Sequence, residues 1–226
     1  MFDTSYFFSS FSFIIIGIPL TLSIALIAFL MGGLIGFVIA IIRINQFKYF
    51  HGLCIAYVSF IRGTPLVIQL FLIYYGLPIL LKLAGFGNLI SEIHPIYFVY
   101  FTFSINAGAY LSETLRSAIL SVHKGQNEAA YVIGLSKTQT MLSVILPQAM
   151  RVALPNLGNQ FIVLLKETSL AFLVSVPEIM GQAKILAGRT SQFFEVYIAA
   201  AILYWCLCLL IERILRYGEK KLSAHI

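Results

Sequence analysis

Two pairs of charged residues interrupt stretches of this sequence that are otherwise strongly apolar. Glu113 and Arg116 lie three residues apart in one stretch, and the neighbours Lys166 and Glu167 interrupt another. A charge at the centre of a membrane helix costs about 2.5–3.5 kcal/mol on insertion scales, so such a residue calls for a function or a partner. A carboxylate in a dry cavity suits an ammonium group. These positions are therefore candidates for contacts with a polar solute.

Uncharged polar residues accompany these charges. Asn106 and Tyr110 lie four residues apart and so share one face of a helix. Because adjacent helical residues point about 100° apart, Lys166 and Glu167 cannot both face one partner. One alternative is that these two form a structural pair that stabilises a helix break. The polar path predicted from the sequence consists of Asn106, Tyr110, Asn159, Gln160, Lys166, Glu167, Thr168 and Ser169.

Glu113, Arg116 and Arg62 each allow two interpretations. Glu113 and Arg116 can form an intrahelical ion pair, with Arg116 reaching towards lipid headgroups. Alternatively, they form a gate or contact a neighbouring subunit. Arg62 precedes an uncharged apolar stretch, where it either anchors the chain at the cytoplasmic surface or belongs to the same gate or ion pair.

The composition is that of an integral membrane protein. Of the 226 residues, 60% are hydrophobic and only 11% are charged, whereas soluble domains have roughly 45–50% apolar and about 25% charged residues. The mean hydropathy is +0.93. These values exclude disorder, a basic nucleic-acid-binding domain and an ordinary cytosolic enzyme. The net charge of +6 is explained by basic residues that accumulate in cytoplasmic loops beside membrane lipids, and not by a nucleic-acid partner.

Five apolar stretches have the length of a membrane span. Some 20 residues cross the hydrocarbon core as a helix, and each stretch far exceeds the roughly 9–11 residues of a barrel strand. We therefore predict an all-α integral membrane protein with five transmembrane helices in a single domain, residues 1–226. The spans are placed at about 14–42, 62–82, 95–119, 152–176 and 194–215.

The distribution of basic residues predicts the orientation. With the N-terminus outside, nine Lys and Arg residues adjoin the inner ends of the spans and three lie in outer loops. The positive-inside rule therefore places the N-terminus outside and the C-terminus in the cytoplasm. The inner residues are Arg43, Lys48, Lys124, Lys137, Arg151, Arg213, Arg216, Lys220 and Lys221, and the outer ones are Lys82, Lys184 and Arg189.

Residues 121–151 form the largest stretch between predicted spans. Two short helical patterns occur there, at about 126–133 and 136–146, and Pro147 is expected to end the second. Gly134 between them permits a positive φ and a close turn. Such a helical hairpin could fit a groove of a partner protein, or it could lie as an amphipathic helix on the inner leaflet.

The hairpin carries the motif of a known family. The pattern of Glu128-Ala129-Ala130, Gly134, Val144 and Leu146-Pro147 resembles the EAA loop of bacterial ABC importer permeases, with Val144 at a position where that family favours Ile. Further stretches resemble the polar amino-acid subgroup that serves histidine, glutamine, arginine or glutamate. They are 60–66, 69–78, 107–113, 124–126, 157–160, 165–170 and 176–178. The resemblance covers about residues 15–215.

This resemblance implies a type I ABC importer permease in a bacterial plasma (inner) membrane. The family's EAA loop docks on a cytoplasmic ATPase subunit, which assigns that role to Glu128, Ala129, Ala130 and Gly134. A second copy of the permease or a paralogue completes the pathway, and an extracytoplasmic solute-binding protein delivers the amino acid. The resemblance makes Glu167 the first candidate for a substrate contact. Glu178 follows Pro177 just outside the fourth predicted span and so belongs to an outer loop with Lys184 and Arg189; that loop is expected to face the solute-binding protein.

Nucleotide and metal motifs are absent from the sequence. No G-x-x-x-x-G-K-[ST] segment occurs, and no catalytic or metal-ligand cluster is recognisable. The chain is therefore not expected to be an enzyme or to hold a cofactor; ATP and Mg²⁺ would bind the partner ATPase. The alternative function is an ion-coupled secondary carrier without an ATPase, which ATP dependence of uptake would distinguish.

Overall fold

The computed structural model describes residues 3–85 and 93–223, and every regular element in these two ranges is helical. The α-helices are α1 (Thr4–Ile14), α2 (Ile18–Ile44), α3 (His51–Gly63), α4 (Leu66–Phe71), α5 (Leu77–Leu83), α6 (Pro95–Ser121), α7 (Lys124–Val132), α8 (Lys137–Thr140), α9 (Leu146–Glu167), α10 (Ile179–Thr190) and α11 (Phe193–Ser223). Short 3₁₀ or π turns join several of them into longer stretches. The all-helical prediction is confirmed.

Four helical stretches in the described ranges are long and apolar enough to cross a membrane. They are Thr4–Ile44, Leu66–Leu83, Lys137–Val174 and Phe193–Gly218. α6 is not among them although it has 27 residues, because polar residues such as Thr102, Ser104 and Asn106 make it less apolar than the other four. The crossing of the membrane by α6, and with it the predicted count of five spans and the orientation, stays a prediction.

α6 is the central helix, and α2 packs along it through glycines. A Cβ atom on Gly32 would lie 2.7 Å from the Cβ of Ala107, and one on Gly36 would lie 2.8 Å from the backbone nitrogen of Ser112. The two backbones therefore approach as closely as small residues allow, which is the usual means of helix association in membranes. Gly33, on the same helix, faces open space.

This contact predicts opposite effects for two alanine substitutions. Gly36→Ala is expected to destabilise the protein by about 1–3 kcal/mol because the new methyl group meets the α6 backbone. Gly33→Ala meets nothing and is expected to leave stability unchanged or to raise it, since alanine favours a helix over glycine by up to about 1 kcal/mol. Thermal unfolding of the two purified variants in detergent tests this; shifts of the same sign and size would contradict the packing.

The second predicted span, 62–82, has a different form in the structure. α3 precedes it, and the chain is extended at Thr64 and Pro65 before helix resumes at Leu66. The prediction that Arg62 begins a span was wrong, because this residue lies in the last turn of α3. The signal for α3 was present in the sequence. Its inward side chains recur at helical spacing, with Val58 and Ile61 buried.

The hairpin of residues 121–151 ends its first helix just before Gly134, as predicted. This glycine has φ 85°, and the N–H of Leu135 donates to the carbonyl of Ala130 at 3.0 Å, which is the Schellman arrangement. The expectation that Pro147 ends the second helix was wrong. A π turn at Met141–Ile145 precedes it, and such a turn accommodates the missing N–H of a proline. Helix therefore continues without interruption from Lys137 to Val174.

Candidate functional site

A cavity of about 200 Å³ lies between α2, α6 and α9. It brings together four residues of the predicted polar path, which are Asn106 and Tyr110 on α6 and Gln160 and Glu167 on α9. Its full lining is Phe29, Asn106, Ala107, Tyr110, Leu111, Gln160, Val163, Leu164 and Glu167. A carboxylate, two amides and a phenol in an otherwise apolar pocket are suited to orient a small polar solute.

The other four predicted path residues do not line this cavity. Lys166 is exposed, because it points away from its neighbour Glu167 on the helix. Thr168 is buried and its hydroxyl donates to the backbone carbonyl of Leu165, while the hydroxyl of Ser169 donates to that of Lys166. Both hydroxyls thus bond to backbone carbonyls at the point where α9 passes into a 3₁₀ turn.

Asn159 lies in a separate groove between α9 and α11. That groove also includes Glu212 and Arg216, which form an exposed ion pair with each other. Asn159 and Gln160 are adjacent on a helix, so one faces the cavity and the other faces away from it. Of these two path residues, only Gln160 therefore lines the cavity.

Gln69 is a buried polar residue whose role the sequence did not reveal. Its side-chain oxygen accepts a hydrogen bond of 2.9 Å from the amide nitrogen of Asn106, which lines the cavity. Its amide nitrogen donates to the backbone carbonyls of Ile61 and Thr64 beside the break between α3 and α4. Gln69 and Asn106 are far apart in the sequence, and only the packing of α4 on α6 brings them together.

Arg62 lies close to the cavity and does not act as an isolated anchor. Its guanidinium carbon is 5.5 Å from the centre of the Tyr110 ring, within range of a cation–π contact. Tyr110 itself lines the cavity. The end of α3 therefore supports one wall of the site from behind.

Glu113 joins two helices through a charged network. It pairs with Arg116 at 3.0 Å, as one of the two interpretations required, and it also pairs with Arg43 at the end of α2. The sequence did not suggest Arg43, because it lies on another helix. A carboxylate between two guanidinium groups is compensated, so the network needs no further partner to be tolerated in the protein.

The side chain of Glu178 is buried inside the protein. Its carboxylate accepts hydrogen bonds from the N–H of Gly181 at 2.8 Å and the hydroxyl of Tyr204 at 2.5 Å, and it caps the start of α10. Burial raises the pKa of Glu178 above its ordinary value, although these hydrogen bonds act to lower it. The buried carboxylate is therefore a structural cap at a helix N-terminus. That the outer segment around Glu178 faces a solute-binding protein stays a prediction.

The hairpin exposes three of the four residues assigned to partner docking. Glu128, Ala129 and Gly134 are exposed, whereas Ala130 is only 4% exposed and packs inside the chain. Two apolar residues at the tip are strongly exposed, with Val132 at 87% and Ile133 at 76%. Exposed apolar side chains on a polar hairpin are typical of a contact surface.

Comparison with known proteins identifies the family. Residues 32–224 match the model of the binding-protein-dependent transport system inner membrane component. The chain belongs to this family. The permease is therefore the membrane-spanning subunit of such a system and is distinct from the ATPase subunit; systems of this family generally include an ATPase and a substrate-binding protein. Its location is the inner membrane.

Relatives cover almost the whole permease. It is 39% identical to the L-cystine transport system permease protein TcyL of Bacillus subtilis over 208 residues, which are 92% of this chain and 86% of that one. It is 34% identical over 222 residues to the glutamine transport system permease protein GlnP of Escherichia coli K12, with 98% of each chain covered.

Solved structures share the fold of the permease. The crystal structure of an amino acid ABC transporter with histidines superposes with a TM-score of 0.86 at 33% identity and covers 98% of this chain and 99% of that one. The methionine ABC transporter MetNI in an inward-facing conformation gives a TM-score of 0.75 at 18% identity, covering 92% of this chain and 95% of that one. The predicted ABC importer permease fold is confirmed.

Proposed function

We propose that the permease carries a polar amino acid through the membrane in an ATP-driven ABC importer. The observation that carries this proposal is the cavity, where Glu167, Asn106 and Gln160 meet in an apolar pocket. An ammonium group is the natural partner of a carboxylate there, and every α-amino acid offers one. The L-cystine and glutamine permeases among the relatives transport solutes of this class.

Coupling to ATP is proposed to run through the hairpin. Glu128, Ala129 and Gly134 would contact the ATPase, with Val132 and Ile133 filling an apolar groove on it. Ala130 would hold the hairpin to the rest of the permease. ATP and Mg²⁺ would bind the ATPase and not this chain. ATP binding would favour one of two states of the complex, and the hairpin would pass that preference to the helices around the cavity.

A complete transporter would contain two permease chains, either two copies or this chain with a paralogue. The cavity between α2, α6 and α9 has a volume of only about 200 Å³, so a pathway along an interface between two chains is the economical arrangement. A solute-binding protein would deliver the amino acid from outside.

Reconstitution of the whole transporter in liposomes tests the proposal. The permease, its ATPase and its solute-binding protein would be offered radiolabelled L-cystine, L-glutamine, L-histidine, L-arginine and L-glutamate in turn. We expect accumulation of at least one of them when ATP is present on the ATPase side. No accumulation of any of the five by a transporter that hydrolyses ATP would overturn the amino-acid assignment.

A further inference from the structure

The side chain of Gln69 connects the break between α3 and α4 to the cavity. Its amide nitrogen donates to the carbonyl oxygens of Ile61 at 2.8 Å and Thr64 at 3.0 Å. Its oxygen accepts from the amide nitrogen of Asn106 at 2.9 Å. Gln69 and Asn106 are each 4% exposed, so neither exchanges these partners readily for water.

The helix break dictates which end of the Gln69 amide faces it. In an unbroken helix the carbonyl of Ile61 would accept from residue 65, but Pro65 has no N–H. In an unbroken helix the carbonyl of Thr64 would accept from the N–H of Ile68. Here that N–H donates to the carbonyl of Pro65 instead, at 3.0 Å, so the carbonyl of Thr64 is left without it. Both carbonyls can only accept, so the NH₂ group of Gln69 must point towards them.

The orientation of Gln69 then determines that of Asn106. Because the Gln69 oxygen faces Asn106 and can only accept, Asn106 must turn its NH₂ group towards Gln69. The carbonyl oxygen of Asn106 then lies at the end of the amide that does not face Gln69, and Asn106 lines the cavity. Together with the Glu167 carboxylate, the cavity thus presents two acceptors.

We infer that Gln69 is a positioning residue that sets the selectivity of the cavity. By holding Asn106 as a hydrogen-bond acceptor, it favours solutes that bring an ammonium group and disfavours those that bring an acceptor. Gln69 does not line the cavity and acts through Asn106. This inference rests on the proposed function, because it requires that the transported solute occupies this cavity.

The test compares each amino acid with its deamino analogue. Binding to the purified permease–ATPase complex would be measured for L-glutamine against glutaramate and for L-cystine against 3,3′-dithiodipropionate. The wild type is expected to bind the amino acid of at least one pair about tenfold or more tightly. Gln69→Met keeps the side-chain length but frees Asn106 to rotate, and this preference is expected to fall at least about fivefold.

A second substitution separates positioning from a merely structural role. In the double variant Gln69→Met with Asn106→Asp, residue 106 offers oxygen in either orientation, so the preference for the ammonium form is expected to return. A structural role of Gln69 would not be rescued in this way. The matched control is Thr64→Val, which removes the 2.9 Å contact between Gln69 and the Thr64 hydroxyl but leaves Asn106 fixed; it is expected to lower stability without changing the preference.

The outcomes distinguish this inference from the proposed function. If the wild type binds neither L-glutamine nor L-cystine, the proposed amino-acid function fails for these solutes and the inference fails with it. If the wild type shows the preference and Gln69→Met retains it, only the role of Gln69 is overturned. Should Gln69→Met not fold, Asn106→Leu and Asn106→Asp decide: the leucine variant must lose the preference and the aspartate variant must keep it.

Discussion

Gly134→Arg is expected to abolish ATP-driven uptake and the recovery of the ATPase with the purified permease. Gly134 is exposed at the end of α7 and has φ 85°. A residue with a Cβ atom is strained there by about 1–2 kcal/mol, and an arginine also places a long charged side chain on the surface proposed to dock. Insertion into the membrane should be unaffected, since no other atoms surround this position.

A matched control for this prediction exists in the same chain. Gly85 has φ 89° and is likewise surrounded by open space, but it lies after α5, away from the hairpin. Gly85→Arg therefore introduces the same strain and the same side chain elsewhere. It should leave the recovery of the ATPase intact. Equal recovery with both variants would remove the docking role from the hairpin.

Glu167→Gln is expected to weaken the binding of amino acids to the permease by at least about thirtyfold. Removing one partner of a buried, hydrogen-bonded charge pair typically costs 2–5 kcal/mol or more, and about 1.4 kcal/mol corresponds to a factor of ten. Glutamine has nearly the shape of glutamate, so the cavity should keep its volume. Binding of radiolabelled amino acids to the permease–ATPase complex would measure the loss.

Lys166→Gln is the control for Glu167→Gln, because the two residues are neighbours but only Glu167 lines the cavity. It removes one charge at nearly the same depth along the helix and should change affinity by less than about threefold, as an exposed charge contributes little. If Lys166→Gln weakened binding as strongly as Glu167→Gln, the cavity would not be the binding site.

The sequence predicted the fold class and four of the nine residues that line the cavity, but it misplaced several helix boundaries. Composition and length sufficed for an all-helical membrane protein, and i, i+4 spacing correctly paired Asn106 with Tyr110. The prediction that the helix ends at Pro147 was wrong because the π turn at Met141–Ile145 allows the helix to continue through the proline. A local sequence pattern shows that a proline disfavours a regular helix, but it does not show that a π turn before the proline allows the helix to continue.

Contacts between helices that are distant in the sequence could not be predicted from local sequence patterns. Gln69 stands in a stretch that carries the family resemblance, yet its bonds to Asn106 and to the break depend on how α4 packs against α6. Glu178 was assigned to a loop because it follows a proline, whereas its burial depends on Thr21 and Tyr204 from two other helices. Such roles become visible only when the helices are assembled.

The most direct test of the central claim is uptake by the reconstituted transporter with all ion gradients collapsed by ionophores. If the permease belongs to an ATP-driven amino-acid importer, radiolabelled substrate accumulates when ATP is supplied and stops accumulating when it is withheld. Uptake that does not depend on ATP and stops when the ion gradients are collapsed would contradict this account and establish an ion-coupled carrier.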